Sequence, residues 1–215
     1  MDYQSMTFEQ WGDIAWSDEV YMMLSEIPGQ IFVTHCTGEA FDDECCIPCF
    51  KQSSVRCIVW GLIMRDVKGP LVILEYPGGK EGGMTAEWYW EQVLEGALVD
   101  YYKLMKKDQP NFQFQQDGTP SHCVKTTTEW FNKHHIPLFP YPPSSPDLSL
   151  IEPVWHILKS KLHDYKHQPT TYNELCAAIF EVWDNIDYND IDKFINCMPE
   201  VVQAVIDAKD GHTQY

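Results

Sequence analysis

The sequence predicts an α/β fold, a mixed sheet covered by helices, and three observations predict it. With 215 residues and 44% hydrophobic content, the chain can bury one sizeable core, and a single domain over 1–215 is expected. Its first third is a run of strand-like segments punctuated by glycine and proline. From residue 85 onward, helical spacing alternates with short strand-like stretches, the order of an antiparallel meander extended by β-α-β units.

The elements follow in order. Ile14 to Leu24, IAWSDEVYMML, reads as a buried strand, and QIFVTH from Gln30 to His35 as a second, set off by Pro28-Gly29. A polar, cysteine-rich loop comes next. Val55 to Met64 and Leu71 to Leu74 read as further strands, bounded by Gly69-Pro70 and Pro77-Gly78-Gly79. Between Thr85 and Met105, Trp88, Val93, Leu94, Leu98, Tyr101 and Leu104 recur at helical spacing. Asn111 to Asp117 is the next strand. A helix is predicted to start at Thr119-Pro120, because threonine caps well and proline's missing N–H costs least in a first turn. Ile136 to Tyr141 is a short strand, ended by PYPPSSPD, and helices are expected over Leu150–Tyr165, Tyr172–Asn185 and Asp190–Lys209.

Composition narrows the function. No run of about 18 apolar residues exists to span a membrane, and the acidic N-terminus MDYQSMTFEQWGD does not resemble a secretory signal. An intracellular protein is expected. Eight cysteines then read mostly as buried thiols. Zinc at Cys45, Cys46, Cys49 and Cys57, with His35 and Cys36 upstream, stays open, although two clean C-x-x-C pairs are missing. The net charge is −17, from 15 Lys+Arg against 32 Asp+Glu. Such an excess opposes nucleic-acid binding, which rests largely on Lys and Arg displacing counterions.

Three carboxylates stand out. Asp18 alternates with Ile14, Trp16, Val20 and Met22 on one strand face that is otherwise apolar. Burial there is costly without a cation or strong donors, though a frayed strand end fits the same pattern. Glu19 points the other way and is simplest as a solvated acid. Asp117 ends its strand where Gly118 lets the chain turn, at the sheet rim where α/β sites gather; a turn aspartate bonding its own backbone fits equally. Glu152 starts a helix with the stripe Ile151, Val154, Trp155, Leu158 and Leu162, and Ser149-Leu150-Ile151-Glu152 fits a capping box. Brought together, the three would repel, since two charges 4 Å apart cost about 4 kcal/mol at an effective dielectric near 20. Divalent cations relieve this, and all-oxygen ligands suit Mg²⁺ or Mn²⁺. Two such ions about 3.5–4 Å apart clamp the attacking and leaving oxygens of a phosphodiester.

The residues around these acids resemble a known family. QQDGTPSH followed by PYPPSSPDLSLIEPVW resembles the DDE catalytic domain of Tc1-type transposases, in the Tc1/mariner superfamily. Thirty-four residues separate Asp117 from Glu152, the family's DD34E spacing. WSDE at Trp16 to Glu19 is similar to the first acidic motif, VWG at Val59 to Gly61 to the strand after a variable loop, and MPEVVQAVIDAKDGHTQY to the family's C-terminal end. The likeness runs from about Trp11 to Tyr215.

That resemblance implies an RNase H-like, retroviral-integrase-like fold: a five-stranded mixed sheet flanked by helices, with a core of about 11–166 and a helical extension of about 170–215. It implies metal-dependent cleavage of transposon ends and transfer of the freed 3′-OH to TA target DNA. Asp18, Asp117 and Glu152 are then the catalytic and metal-binding residues, holding two Mg²⁺ or Mn²⁺. His122 and Asp147 match the motif as substrate or supporting residues: His122 to contact phosphate, orient Asp117 or pack, Asp147 to shape the loop before Glu152. The implied partner is DNA, with a homodimer left open and no membrane. The implied location is the nucleus, although no basic import signal is present.

Departures from the family pattern matter as well. Only about ten residues precede the first motif, so the helix-turn-helix modules usual in the family are expected to be absent here. The usual D-L-N-P-I-E-N reads Asp147-Leu148-Ser149-Leu150-Ile151-Glu152-Pro153. In the tail, Glu200 and Val201 stand where two arginines are usual, and Asp210 where glycine is. Lys103, Lys106 and Lys107 read as a solvated helix end rather than a DNA track, so weak DNA binding is expected. A decayed or domesticated transposase acting as a binding or assembly module is the alternative. An RNase H-type nuclease shares the fold but not the 34-residue spacing.

Overall fold

The structure is a computed structural model, and it describes residues 3–23, 55–75, 86–119, 122, 125–142 and 145–208. The strand expected at Gln30–His35 and the cysteines at 36, 45, 46 and 49 lie outside the described residues.

After a short helix α1 (Phe8–Gly12), capped by a reciprocal Thr7–Gln10 box, the chain enters strand β1 (Ile14–Met23). Strands β2 (Arg56–Met64) and β3 (Val67–Leu74) form a hairpin through Arg65-Asp66, where Asp66 takes a left-handed φ of 60°. Helix α2 runs on through Ala86–Tyr89, Trp90–Leu98 and Val99–Met105. Strand β4 (Gln113–Gln115) follows, then helices α3 (Lys125–His134), α4 (Ile151–His163), α5 (Tyr172–Asp184), α6 (Tyr188–Asn196) and α7 (Met198–Ala208).

The sheet order is β3-β2-β1-β4, antiparallel except for the parallel β1–β4 pair. Among the described residues it therefore has four strands, not the five expected. The stretch read as the fifth makes one parallel bridge, Phe114 to Leu138, with Phe114 N–H donating to Pro137 O and Phe139 N–H to Phe114 O. Prolines at 137 and 140 bracket this contact, and neither has an N–H to extend a ladder.

Alternation along β1 sorts two cores. Ile14, Trp16 and Met22 join Val154, Trp155, Leu158, Ile179 and Trp183 of α4 and α5 on one face. Ala15 joins Tyr89, Val93, Leu94, Leu98, Phe114 and Phe131 of α2, β4 and α3 on the other. β2, covered on both faces, is buried from Cys57 to Met64.

Three boundaries differ from expectation. Gly69-Pro70 lies inside β3 rather than before it, which is possible because β3 is an edge strand. The middle of α2 is π-helical, with Val99 N–H donating to Leu94 O five residues back. The wider winding shifts the phase of the stripe, so Tyr89 rather than Trp88 is buried and Leu104 is 65% exposed. The last predicted helix is two, because Pro199 in the first turn of α7 cannot donate back to α6.

Candidate active site

Asp18 sits mid-strand in β1, directly opposite Gly61 of β2. Gly61 is small for a reason. A Cβ there would lie 2.5 Å from Trp155 Cη2, so the missing side chain is the space into which α4 packs its tryptophan. Trp155 follows Glu152 by three residues, one helical turn. The same contact that buries Trp155 to 1% exposure thereby brings the start of α4 to the strand that carries Asp18.

Glu152 is not a cap. The helix begins after Leu150 with no side-chain capping bond, and Glu152 N–H donates to Ser149 O at 3.3 Å. Its residue is exposed, at the solvent end of the helix. Asp147 lies in the short turn Pro146–Leu148 that leads to it.

Asp117 stands two residues beyond β4. Its Oδ1 accepts from Thr119 N–H at 3.1 Å, the backbone turn foreseen as the ordinary reading, and lies 2.6 Å from His122 Nδ1. Gly118 does not need to be glycine for the protein's own packing, since a Cβ there would meet nothing within 4 Å. His122 is 4% exposed, its ring 4.1 Å from that of Tyr89.

Glu19 corrects an expectation. It does face away from Asp18's side of the sheet, but it is only partly solvated: its side chain is 18% exposed, Oε1 is buried, and His122 Nε2 lies 3.4 Å from it. One imidazole therefore bridges the second acid of WSDE to Asp117. A buried His five residues after a strand-end Asp is visible in sequence; that it also meets Glu19 is not.

The acids share a field. Burial, then the charges of Glu19, Glu152 and Asp117, push the Asp18 carboxyl up to about 7, against a bond from Glu19 N–H that lowers it. Burial also raises Asp117, but bonds from His122 and Thr119 outweigh it and hold the carboxyl below the usual range. For His122, burial pulls the pKa down, yet Asp117 and Glu19 carry it up to about 10, so the ring is an imidazolium at neutral pH. Tyr141 is raised by burial and then by the charges of Asp18, Asp117 and Glu152, so all three acids act on one phenol. Among the described residues, no group of three or more Asp, Glu, His or Cys side chains is closed tightly enough to cage a metal ion. What the structure brings together is a shared electrostatic site, in which the neighbouring acids act on Asp18.

Comparison with known proteins finds relatives of one kind. Residues 90–176 match the DDE superfamily endonuclease family. The Tc1 transposase of Caenorhabditis elegans is 28% identical over 96% of this chain and 72% of its own length. The Tcb2 transposase of Caenorhabditis briggsae is 27% identical over 96% of this chain and 72% of its own length. This chain is thus similar over nearly its whole length to Tc1-type transposases, and over residues 90–176 to DDE endonucleases. The chain also shares the fold of the Mos1 transposase catalytic domain solved with Raltegravir and Mg, with a TM-score of 0.66 over 99% of this chain and 94% of that one, at 12% identity. A Mos1 mariner paired end complex with Mn matches equally in fold, with a TM-score of 0.66 over 95% of this chain and 57% of that one, at 15% identity. The sheet flanked by helices is thus the RNase H-like fold of these enzymes.

Proposed function

We propose that this domain cleaves and joins DNA strands, with Asp18, Asp117 and Glu152 as its metal-binding residues. The observation that carries the reading is the Asp18 carboxyl. It is partly buried near Glu19, Glu152 and Asp117 and pushed up to about 7, while the cationic His122 ring meets Asp117 and Glu19, so the acids are gathered where a further cation would be stabilised. Hard oxygen donors at such a place fit Mg²⁺ or Mn²⁺. Two such ions, when bound, supply the charge that activates the attacking oxygen and steadies the leaving one.

The chain's own residues do the rest. β1 fixes Asp18 in the sheet, the Gly61–Trp155 contact sets α4 and Glu152 against it, and His122 with Thr119 orients Asp117. Open space beside Gly118 leaves room for a phosphate backbone to approach the rim. The substrates of the reading are transposon ends and TA target DNA, with a second copy of the chain holding the other end and the nucleus as the place of action.

Nicking and strand transfer on pre-cut transposon ends test this. Activity is expected with Mg²⁺ or Mn²⁺, absent in EDTA, and lost by about a thousandfold or more in Asp117→Ala, as when a group acting as part of a catalytic unit is removed. Equal activity in wild type and Asp117→Ala would overturn it. The net charge of −17 favours a second reading, a transposase-derived binding or assembly module, and that result would leave it standing.

A further inference from the structure

The side of the sheet that Asp18 does not use carries a second device. Asp117 Oδ1 takes two donors from the protein, Thr119 N–H at 3.1 Å and His122 Nδ1 at 2.6 Å. His122 is held in turn from three directions. Glu19 Oε1 lies 3.4 Å from its Nε2. Tyr89 lies against its ring at 4.1 Å. Its backbone carbonyl accepts from Gln116 Nε2 at 3.4 Å, and Gln116 Oε1 accepts from the Tyr89 hydroxyl at 3.1 Å. The Glu19 oxygen that faces the ring is itself out of contact with water and makes no hydrogen bond, so its 3.4 Å approach to the imidazole is an ion-pair contact.

We propose that His122 and Glu19 are positioning residues that lock the Asp117 carboxylate, through its Oδ1, in the orientation from which it binds a divalent cation. The inference rests on the reading of Asp117 as a metal ligand. A carboxylate at a chain turn rotates about two side-chain bonds unless something holds it, and a ligand that must be frozen on binding loses affinity. His122 does the freezing beforehand. Glu19 holds the ring in the plane that points Nδ1–H at Asp117, as outer partners do for metal-site groups. WSDE thus supplies two acids with separate jobs on opposite faces of one strand: Asp18 toward the ions, Glu19 toward the histidine.

The two ring nitrogens can be separated by substitution. Asn at 122 carries an amide nitrogen near the Nδ1 position; Gln reaches toward Nε2 instead. Mn²⁺ binding to the full chain, followed by electron paramagnetic resonance, reads ligand orientation without turnover, and thermal melting confirms that each variant is folded. His122→Gln is expected to weaken Mn²⁺ binding by about 10–100-fold and Glu19→Ala by about tenfold, the range for lost outer-shell partners. His122→Asn is expected to restore most of that affinity. If Asp117→Asn weakens Mn²⁺ binding while Glu19→Ala and His122→Gln bind like wild type, the positioning role is overturned and the metal site stands. If His122→Asn binds as poorly as His122→Gln, the bond to Nδ1 is not what matters and the proposal fails. Should Asp117→Asn itself bind Mn²⁺ normally, the metal-site reading falls and this inference with it.

Discussion

Asp18 is a carboxyl group kept where water is scarce and other acids are near. Its pKa, 3.8 in an unfolded chain, rises to about 7 in the fold. The sign follows from linkage: the stability associated with its protonated form is fully present below 3.8 and is lost as pH rises through about 7. Asp18→Asn removes the charge while keeping the shape. The gap in melting temperature between Asp18→Asn and wild type, measured without metal, is expected to widen as pH climbs from 3.8 to about 7 in the variant's favour. Saturating Mn²⁺ should narrow it again, because a cation that binds only the folded state stabilises it. A gap that does not change with pH would show that Asp18 ionises normally. At this scale the sequence revealed the acids themselves, since a lone Asp on an apolar strand face and an Asp at a strand end are visible as breaks in pattern. Glu19 was not legible. Alternation correctly turned it to the other face, but only the packed structure puts His122 there.

Among the elements, β2 and α4 decide whether the site exists. Gly61 leaves the hollow that Trp155 fills, and Trp155 lies one turn from Glu152. Gly61→Ala would overpack this contact, with an expected cost of about 1–3 kcal/mol in urea denaturation. Because α4 must back away from the strand, DNA cleavage should fall by more than the loss of stability explains. Trp155→Phe in the same chain should recover part of both; no recovery would place the damage elsewhere. Lys68 of β3 anchors the next layer, its ammonium donating to Trp183 O, Asp184 O and Ile186 O at 2.9, 2.6 and 2.9 Å at the end of α5, a favourable place for a cation. Most elements were readable from period and punctuation. The exceptions have local causes: a π-helical stretch shifts the stripe of α2, prolines cut the fifth strand to a single bridge, and an edge position lets β3 run through Pro70.

For the whole molecule, charge is the dominant fact. Two Mg²⁺ would add only +4 to a net −17, so DNA must approach against a repulsive field. Binding of a labelled transposon end, followed by fluorescence anisotropy, is expected to strengthen about tenfold or more on adding Mg²⁺, with a shallow salt dependence because few phosphates are neutralised by Lys or Arg. A steep slope without metal would instead reveal a basic surface strong enough to overcome the net charge.

The amino-acid order by itself determined the α/β class, the succession of most strands and helices, and three acids at family spacing, because hydrophobic period, turn residues and motif spacing are all local properties of a chain. Only the tertiary structure decided how those acids are served: that Gly61 makes room for Trp155, that Asp18 is half-buried near other charges, and that Glu19 reaches Asp117 through His122. Those are contacts between residues up to about a hundred positions apart, and a field or a buried bond forms only where the fold brings its partners within a few ångströms.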